Sequence, residues 1–165
     1  MNATVKILAT ISELRQFAAA TDLLNPDISK WSVGMQIEHL CLAMKRICTG
    51  LVESTPPAPA NKSSSFKGFL RKKVIFFAGR LPRGVGRAPE QTIPAKQPTS
   101  TELEKLLNEC TEIVESASKL SPEHWFKHHV FGVLKRDAAL RFIQIHNRHH
   151  LLIIREIRLS GRKLT

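Results

Sequence analysis

The chain has 165 residues and no tyrosine, only three cysteines, and a single acidic side chain between Thr55 and Thr101. Each scarcity narrows the possibilities. No apolar run approaches the roughly 18–20 residues of a membrane-spanning helix. The N-terminus, Met1 to Lys6, lacks a long apolar stretch followed by a small-residue cleavage site, so no secretory signal is read and a cytoplasmic location is expected. Cys41, Cys48 and Cys110 form an odd set without a C-x-x-C pair, and Cys41 and Cys48 fall in an apolar helical pattern, as reduced buried thiols do. No Ser-His-Asp arrangement or phosphate-cradling glycine loop is recognisable. Gly84-x-Gly86 lacks the strand–helix context of a nucleotide signal.

What is present is length enough for one domain over residues 1–165, with a core that needs no covalent staples. The formal charge of +11 is concentrated. Nine Lys and Arg lie between Thr55 and Thr101 against Glu90 alone, whereas the rest carries 16 basic and 13 acidic residues. A basic crossover segment over about 55–101 therefore joins parts that are nearly balanced. Its stretch Phe66 to Phe77, with Lys67, Arg71, Lys72 and Lys73, mixes cations with apolar residues and suits an anionic partner, either nucleic acid or a membrane surface. The plainer reading is a solvated flap whose Phe and Ile side chains tuck against the core.

Periodicity predicts four principal helices. The first is expected from near Ser12 to about Leu24, before Asn25-Pro26-Asp27 breaks the chain. The second follows Ser32 through Met35, Ile37, Leu40, Cys41, Met44, Ile47, Cys48 and Leu51, and ends at Thr55-Pro56-Pro57. The third opens after Ser100 or Thr101, with Glu102 and Glu104 favouring its N-terminus. The last begins near Asp137. No convincing two-residue alternation separates them, so the fold expected is all-α, a four-helix bundle.

The last helix carries the sharpest signal. His146 and His150 are four residues apart, and at about 100° per residue they share a face with Ala139, Phe142, Ile143, Ile153 and Ile157. Gln144, Arg148 and Arg155 take the opposite face. Two imidazoles in an apolar stripe are costly unless something satisfies their lone pairs and protons. A divalent metal does so for both, and a polar pocket of hydrogen-bonded histidines is the plainer alternative. Two ligands are too few for a metal site. His39, His124, His128, His129 and His149 are candidates for the third. His149 projects about 60° from His146, toward the edge of the stripe. His124, His128 and His129 fall in an expected turn, where surface contacts explain them equally well. His39 lies on the second helix, and bundles assemble metal sites from facing helices.

Trp31 to Leu40 and the stretch from His129-Val130-Phe131-Gly132 to His146-Asn147-Arg148-His149-His150-Leu151 resemble the DinB-like superfamily, which includes the YfiT-like proteins. The resemblance implies an up-down-down-up four-helix bundle with a long crossover between helices 2 and 3. It also implies one His on the second helix and H-x-x-x-H on the last, here His39, His146 and His150, holding nickel or zinc. Members include thiol-dependent transferases and proteins considered metal-dependent hydrolases, so an enzyme acting on a small-molecule substrate is implied. The alternative class is a non-catalytic binding protein that uses the basic segment. Neither Glu38, about 100° from His39 on its helix, nor Glu156 is placed as a general base. Trp31, Trp125 and Phe131 read mainly as packing residues, with lining of the pocket entrance the alternative for Trp125 and Phe131, and a homodimer through a bundle face is compatible with the pattern.

Overall fold

A computed structural model describes residues 2–59, 66–83 and 88–160, excluding the side chains of 66–69 and 71. The chain is mainly helical, with five α-helices: α1 (Ala3–Phe17), α2 (Val33–Glu53), α3 (Phe66–Ala78), α4 (Ser100–Lys119) and α5 (Arg136–Ser160). A 3-10 turn, Glu90–Thr92, precedes α4, and a hairpin of β1 (Trp125–His128) and β2 (Gly132–Lys135) precedes α5.

The bundle comprises α1, α2, α4 and α5, with α1 and α2 on one diagonal and α4 and α5 on the other. Side-chain pairing gives the directions. Cys110 meets the Cys41 carbonyl, and Lys45 pairs with Glu109, near the middle of both helices. Glu38 feels Glu102 near both N-termini, so α2 and α4 run parallel. Glu13 pairs with Arg155 and Phe17 carries Arg158 over its ring, so α1 and α5 are also parallel. Gln36 meets His150 while His39 meets His146, the descending register of antiparallel helices. The order is up-down-down-up. Two parallel neighbours, α2 and α4, need a connection that returns along the whole bundle, and residues 54–99 supply it.

The first helix lies nine residues upstream of its expected start. Asn2 caps it, its side chain accepting from the Thr4 N–H at 3.1 Å, and it ends at Phe17 rather than Leu24. Residues beyond Phe17 spend their carbonyls on the next helix: Thr21 and Leu23 accept from the N–H groups of Gly34 and Val33, both at 2.9 Å. Ser32 Oγ accepts from Met35 N–H, which completes the cap of α2. Glycine is required at 34, because a Cβ there would stand 2.7 Å from Gln97 Nε2 and 2.9 Å from the Thr21 carbonyl. Thr99 and Glu102 form a reciprocal capping box on α4, whose hydrogen bonds hold the Glu102 carboxyl down at about 2.

The hairpin is the second departure from the sequence expectation. Phe126 pairs with Leu134 and His128 with Gly132, and Gly132 takes a φ of 69°, as a three-residue loop closed by a left-handed glycine demands. Its outer end is pinned to the C-terminus of α2: Trp125 N–H donates to Ser54 Oγ at 3.0 Å, and His124 Nδ1 lies 3.0 Å from the Leu51 carbonyl.

The core joins Ile7, Leu14, Ile37, Leu40, Met44, Leu107, Val114, Ile143 and Ile154, all buried, with the three cysteines free among them. Burial pushes the Cys48 thiol up to about 12, which fits a packing role. Among the described residues no helix is long and apolar enough to cross a membrane. On α3, Ile75 and Phe76 tuck against the core, and Lys72 Nζ stands 6.0 Å from the Phe76 ring centroid. The Lys67 and Arg71 side chains, and Gly84 and Gly86, lie outside the described residues.

Candidate metal centre and cavity

The structure brings His39, His146 and His150 together. One ring nitrogen from each lies within 4.8 Å of the others, a grouping that could hold a metal ion. Their ring centroids are 5.1 Å (39–146), 4.7 Å (39–150) and 4.7 Å (146–150) apart. Antiparallel packing of α2 on α5 sets one imidazole opposite two that are one helical turn apart.

Hydrogen bonds decide which nitrogen is available. His39 Nδ1 lies 2.7 Å from the Thr92 carbonyl, which can only accept, so Nδ1 carries the proton and Nε2 keeps its lone pair. His150 Nδ1 lies 2.6 Å from Gln36 Oε1. The Gln36 amide is oriented by its own Nε2, which donates to Ser29 Oγ at 2.8 Å, leaving Oε1 to accept. His150 is therefore also an Nδ1–H tautomer with a free Nε2. A carbonyl behind each imidazole is the support that metal-bound histidines use to fix tautomer and ring orientation. His39 Nε2 stands 3.3 Å from His146 Nε2. Two nitrogens at 2.0–2.1 Å from one tetrahedral ion would be about 3.4 Å apart. The donor set therefore fits a divalent cation by chemistry, and the His39–His146 pair fits one by spacing as well.

Burial holds all three rings toward their neutral, ligating form. His39, 3% exposed, is lowered chiefly by desolvation, with the Thr92 bond opposing. His146 lies well below the ordinary range first through burial and then through His39 and His149, and His150 does so first through burial and then through His146 and His39.

The cluster opens on a cavity of about 490 Å³. Trp31, packed 4.9 Å from His39, and Phe142, stacked 5.7 Å from His146, flank the imidazoles. Ile75 of α3 and Leu81 close one side; the hairpin residues Phe126, His128 and Phe131 form another, and Arg46 stands at the rim. Among the described residues, no carboxylate and no cysteine lines it. Glu38 buries one oxygen without a partner and is raised by desolvation, then by Glu102, so its carboxyl belongs to the α2–α4 contact. Glu156 pairs with Arg83 at 2.6 Å, outside the cavity.

Of the other histidines, His124 serves the end of α2, and His149 lines the cavity instead of sitting on an exposed edge. His128 and His129, expected in a surface turn, also line it, with His128 buried at 9% exposure. Trp31, read as a packing residue, and Phe131, for which the pocket entrance was the alternative, both pack and face the cavity. Sequence reasoning missed Thr92 and Gln36 as supports. Gln36 had a signal, a polar residue one turn before His39 among the apolar positions Val33, Ile37 and Leu40. Thr92 had none, because an irregular crossover carries no periodicity.

Compared with curated proteins and with solved structures, the chain has no match. A sequence-family comparison matches residues 6–157. That span covers both cluster-bearing helices and the crossover between them, and on it the chain belongs to the family described as "Protein of unknown function (DUF1569)".

Proposed function

We propose that His39, His146 and His150 are the protein ligands of a divalent metal ion, nickel or zinc, and that the protein is a metal-dependent enzyme of DinB-like type. The observation that carries this reading is the pair of fixed tautomers: Thr92 and Gln36 hold the Nδ1 protons of His39 and His150, leaving both Nε2 lone pairs for a shared cation. When bound, such an ion supplies Lewis acidity to an oxygen or a thiol sulfur beside it. The chain's own part is to hold three neutral ligands, to surround them with Trp31 and Phe142, and to admit a small molecule through the cavity. With no carboxylate on the lining among the described residues, proton handling falls to histidines, of which His129 and His149 are the more accessible. Hydrolysis and thiol-dependent transfer are the two reaction classes this arrangement serves.

The test is elemental analysis and calorimetric titration with Ni²⁺ and Zn²⁺ on protein bearing no polyhistidine tag. One ion per chain, abolished in His146→Ala while the helical circular dichroism is retained, is expected. A chain that takes up neither ion overturns the reading and leaves a hydrogen-bonded polar pocket.

A second reading, of the surface rather than the cavity, rests on α3. Leu70, Val74 and Phe77 recur at i, i+4 and i+7 and are all exposed, Phe77 by 94%. With Lys73 alongside, that face suits an anionic bilayer. Sedimentation with phosphatidylserine vesicles that fails with phosphatidylcholine and in Phe77→Asp would support it; binding to neither vesicle, or to duplex DNA instead, refutes it.

A further inference from the structure

The hairpin side of the cavity holds a histidine whose tautomer is the reverse of that assigned to His39 and His150. His128 Nδ1 accepts from the Val130 N–H at 3.1 Å and the Phe131 N–H at 3.3 Å. A nitrogen that accepts cannot carry the proton of a neutral imidazole, so the proton sits on Nε2. Nε2 has no hydrogen-bond partner among the described residues, and the ring lines the cavity. The ring cannot swing to find one. It is stacked on Phe131 at 4.5 Å and on His129 at 4.5 Å, with Phe142 edge-on at 4.7 Å. Burial first, then His129 and Arg46, holds it down at about 3, so Nε2–H is a neutral donor at physiological pH.

Arg46, on α2 at the cavity rim, has no carboxylate partner among the described residues; its guanidinium donates to the neutral Gln91 Oε1 at 2.9 Å. A fixed N–H donor, a cation paired only with a neutral amide and a lining without carboxylates among the described residues all favour negative charge. The remaining wall, from Ile75, Leu81 and Phe131, is apolar.

We propose that His128 and Arg46 form an anion-recognising wall that takes the charged head of a small carboxylate-type substrate, whose apolar body lies against Ile75, Leu81 and Phe131. This deepens the enzyme reading above by naming the substrate class, although the wall itself requires no metal. A purely structural role for His128, tying the turn through Nδ1, accounts for the acceptor but not for the donor aimed at the cavity.

The test uses the full chain, chelator-treated and separately Zn²⁺-loaded, with 4-phenylbutyrate as probe and 4-phenylbutyramide as its uncharged counterpart. Calorimetry on the metal-free chain should show the carboxylate bound about tenfold or more tightly than the amide. Arg46→Gln should remove about tenfold of that preference. His128→Asn should do the same, because Asn keeps an acceptor near the position of Nδ1 and removes Nε2–H. Both variants should retain Zn²⁺ uptake. Long-range ¹H–¹⁵N correlation should show His128 as the Nε2–H tautomer, with that proton shifting when 4-phenylbutyrate is added. Equal or absent binding of the two probes, an Nδ1–H tautomer, or unchanged preference in His128→Asn overturns the proposal. Probe discrimination without metal uptake sinks the metal reading alone, and metal uptake without discrimination sinks this one alone.

Discussion

On the helical side of the cavity, His39 and His150 give their Nδ1 protons to carbonyl oxygens and turn lone pairs inward; on the hairpin side, His128 takes two backbone N–H groups on Nδ1 and turns a proton inward. All three rings are drawn toward neutrality by burial. The difference lies in what stands behind each ring. An amide or backbone carbonyl makes an imidazole a ligand, whereas a pair of turn N–H groups makes it a donor. Residue type and burial alone do not assign a histidine its chemistry, and its outer partner does.

The largest effect is expected where that outer partner is removed. In Gln36→Leu the His150 ring loses the acceptor at 2.6 Å and Ser29 loses its amide donor. Freed from that bond, His150 can place its proton on either nitrogen. Zn²⁺ affinity should fall by about 10–100-fold, the usual cost of removing such support. Gln36→Glu keeps an acceptor and should recover much of the loss. Titration against a competing chelator measures both, and an affinity unchanged in Gln36→Leu would show that the tautomer does not control the cluster.

A smaller effect separates the hairpin side by pH. The His128 ring sits at about 3 in the folded chain against an ordinary 6.5. Because folding favours its neutral form, its contribution to stability is complete above about 6.5 and is lost as pH falls toward 3. Across that window the unfolded chain binds one more proton at this residue, a slope of about 1.4 kcal/mol per pH unit. Urea unfolding of the chelator-treated chain at pH 7, 6 and 5 should show the decline, shallower by about one proton in His128→Asn. The same slope in both proteins would remove His128 as its source.

How much of this was legible in the sequence follows the same division. The helical side could be read because a 3.6-residue period places His146 and His150 on one buried face, and Ser32 and the Pro56-Pro57 break bracket the helix bearing His39. The hairpin could not. Its strands are four residues each, too short for alternation to rise above chance, and His128 becomes a cavity residue only through cross-strand pairing with Gly132. The end of α1 was misplaced for a related reason: Ala18 to Ala20 continue a helix-compatible run, and only the tertiary bonds from Val33 and Gly34 show where the helix stops. Thr92 lies at the extreme, its role set by a contact 53 residues away along the chain.

The mildest perturbation tests whether the hairpin side can be moved independently. Gly50, in the last turns of α2, faces Phe126 of β1, and a Cβ there would stand 2.6 Å from the ring's Cδ2. Two terms compete in Gly50→Ala. Replacing a helical glycine gains up to about 1 kcal/mol in backbone propensity. Overpacking a contact costs about 1–3 kcal/mol. Phe126 is only half-buried, so its ring can shift outward and the cost should fall at the lower end. A net loss of about 1 kcal/mol or less is expected, readable as a small shift of the urea midpoint. Because Phe126 and His128 lie on the same strand, displacement of the ring should disturb His128 while His39, His146 and His150, carried by α2 and α5, keep their spacing. Zn²⁺ affinity should stay at the parental value while the His128 Nε2–H resonance moves. If both change together, the cavity's two sides are one mechanical unit, and the hairpin cannot tune what enters without also disturbing what the helices hold.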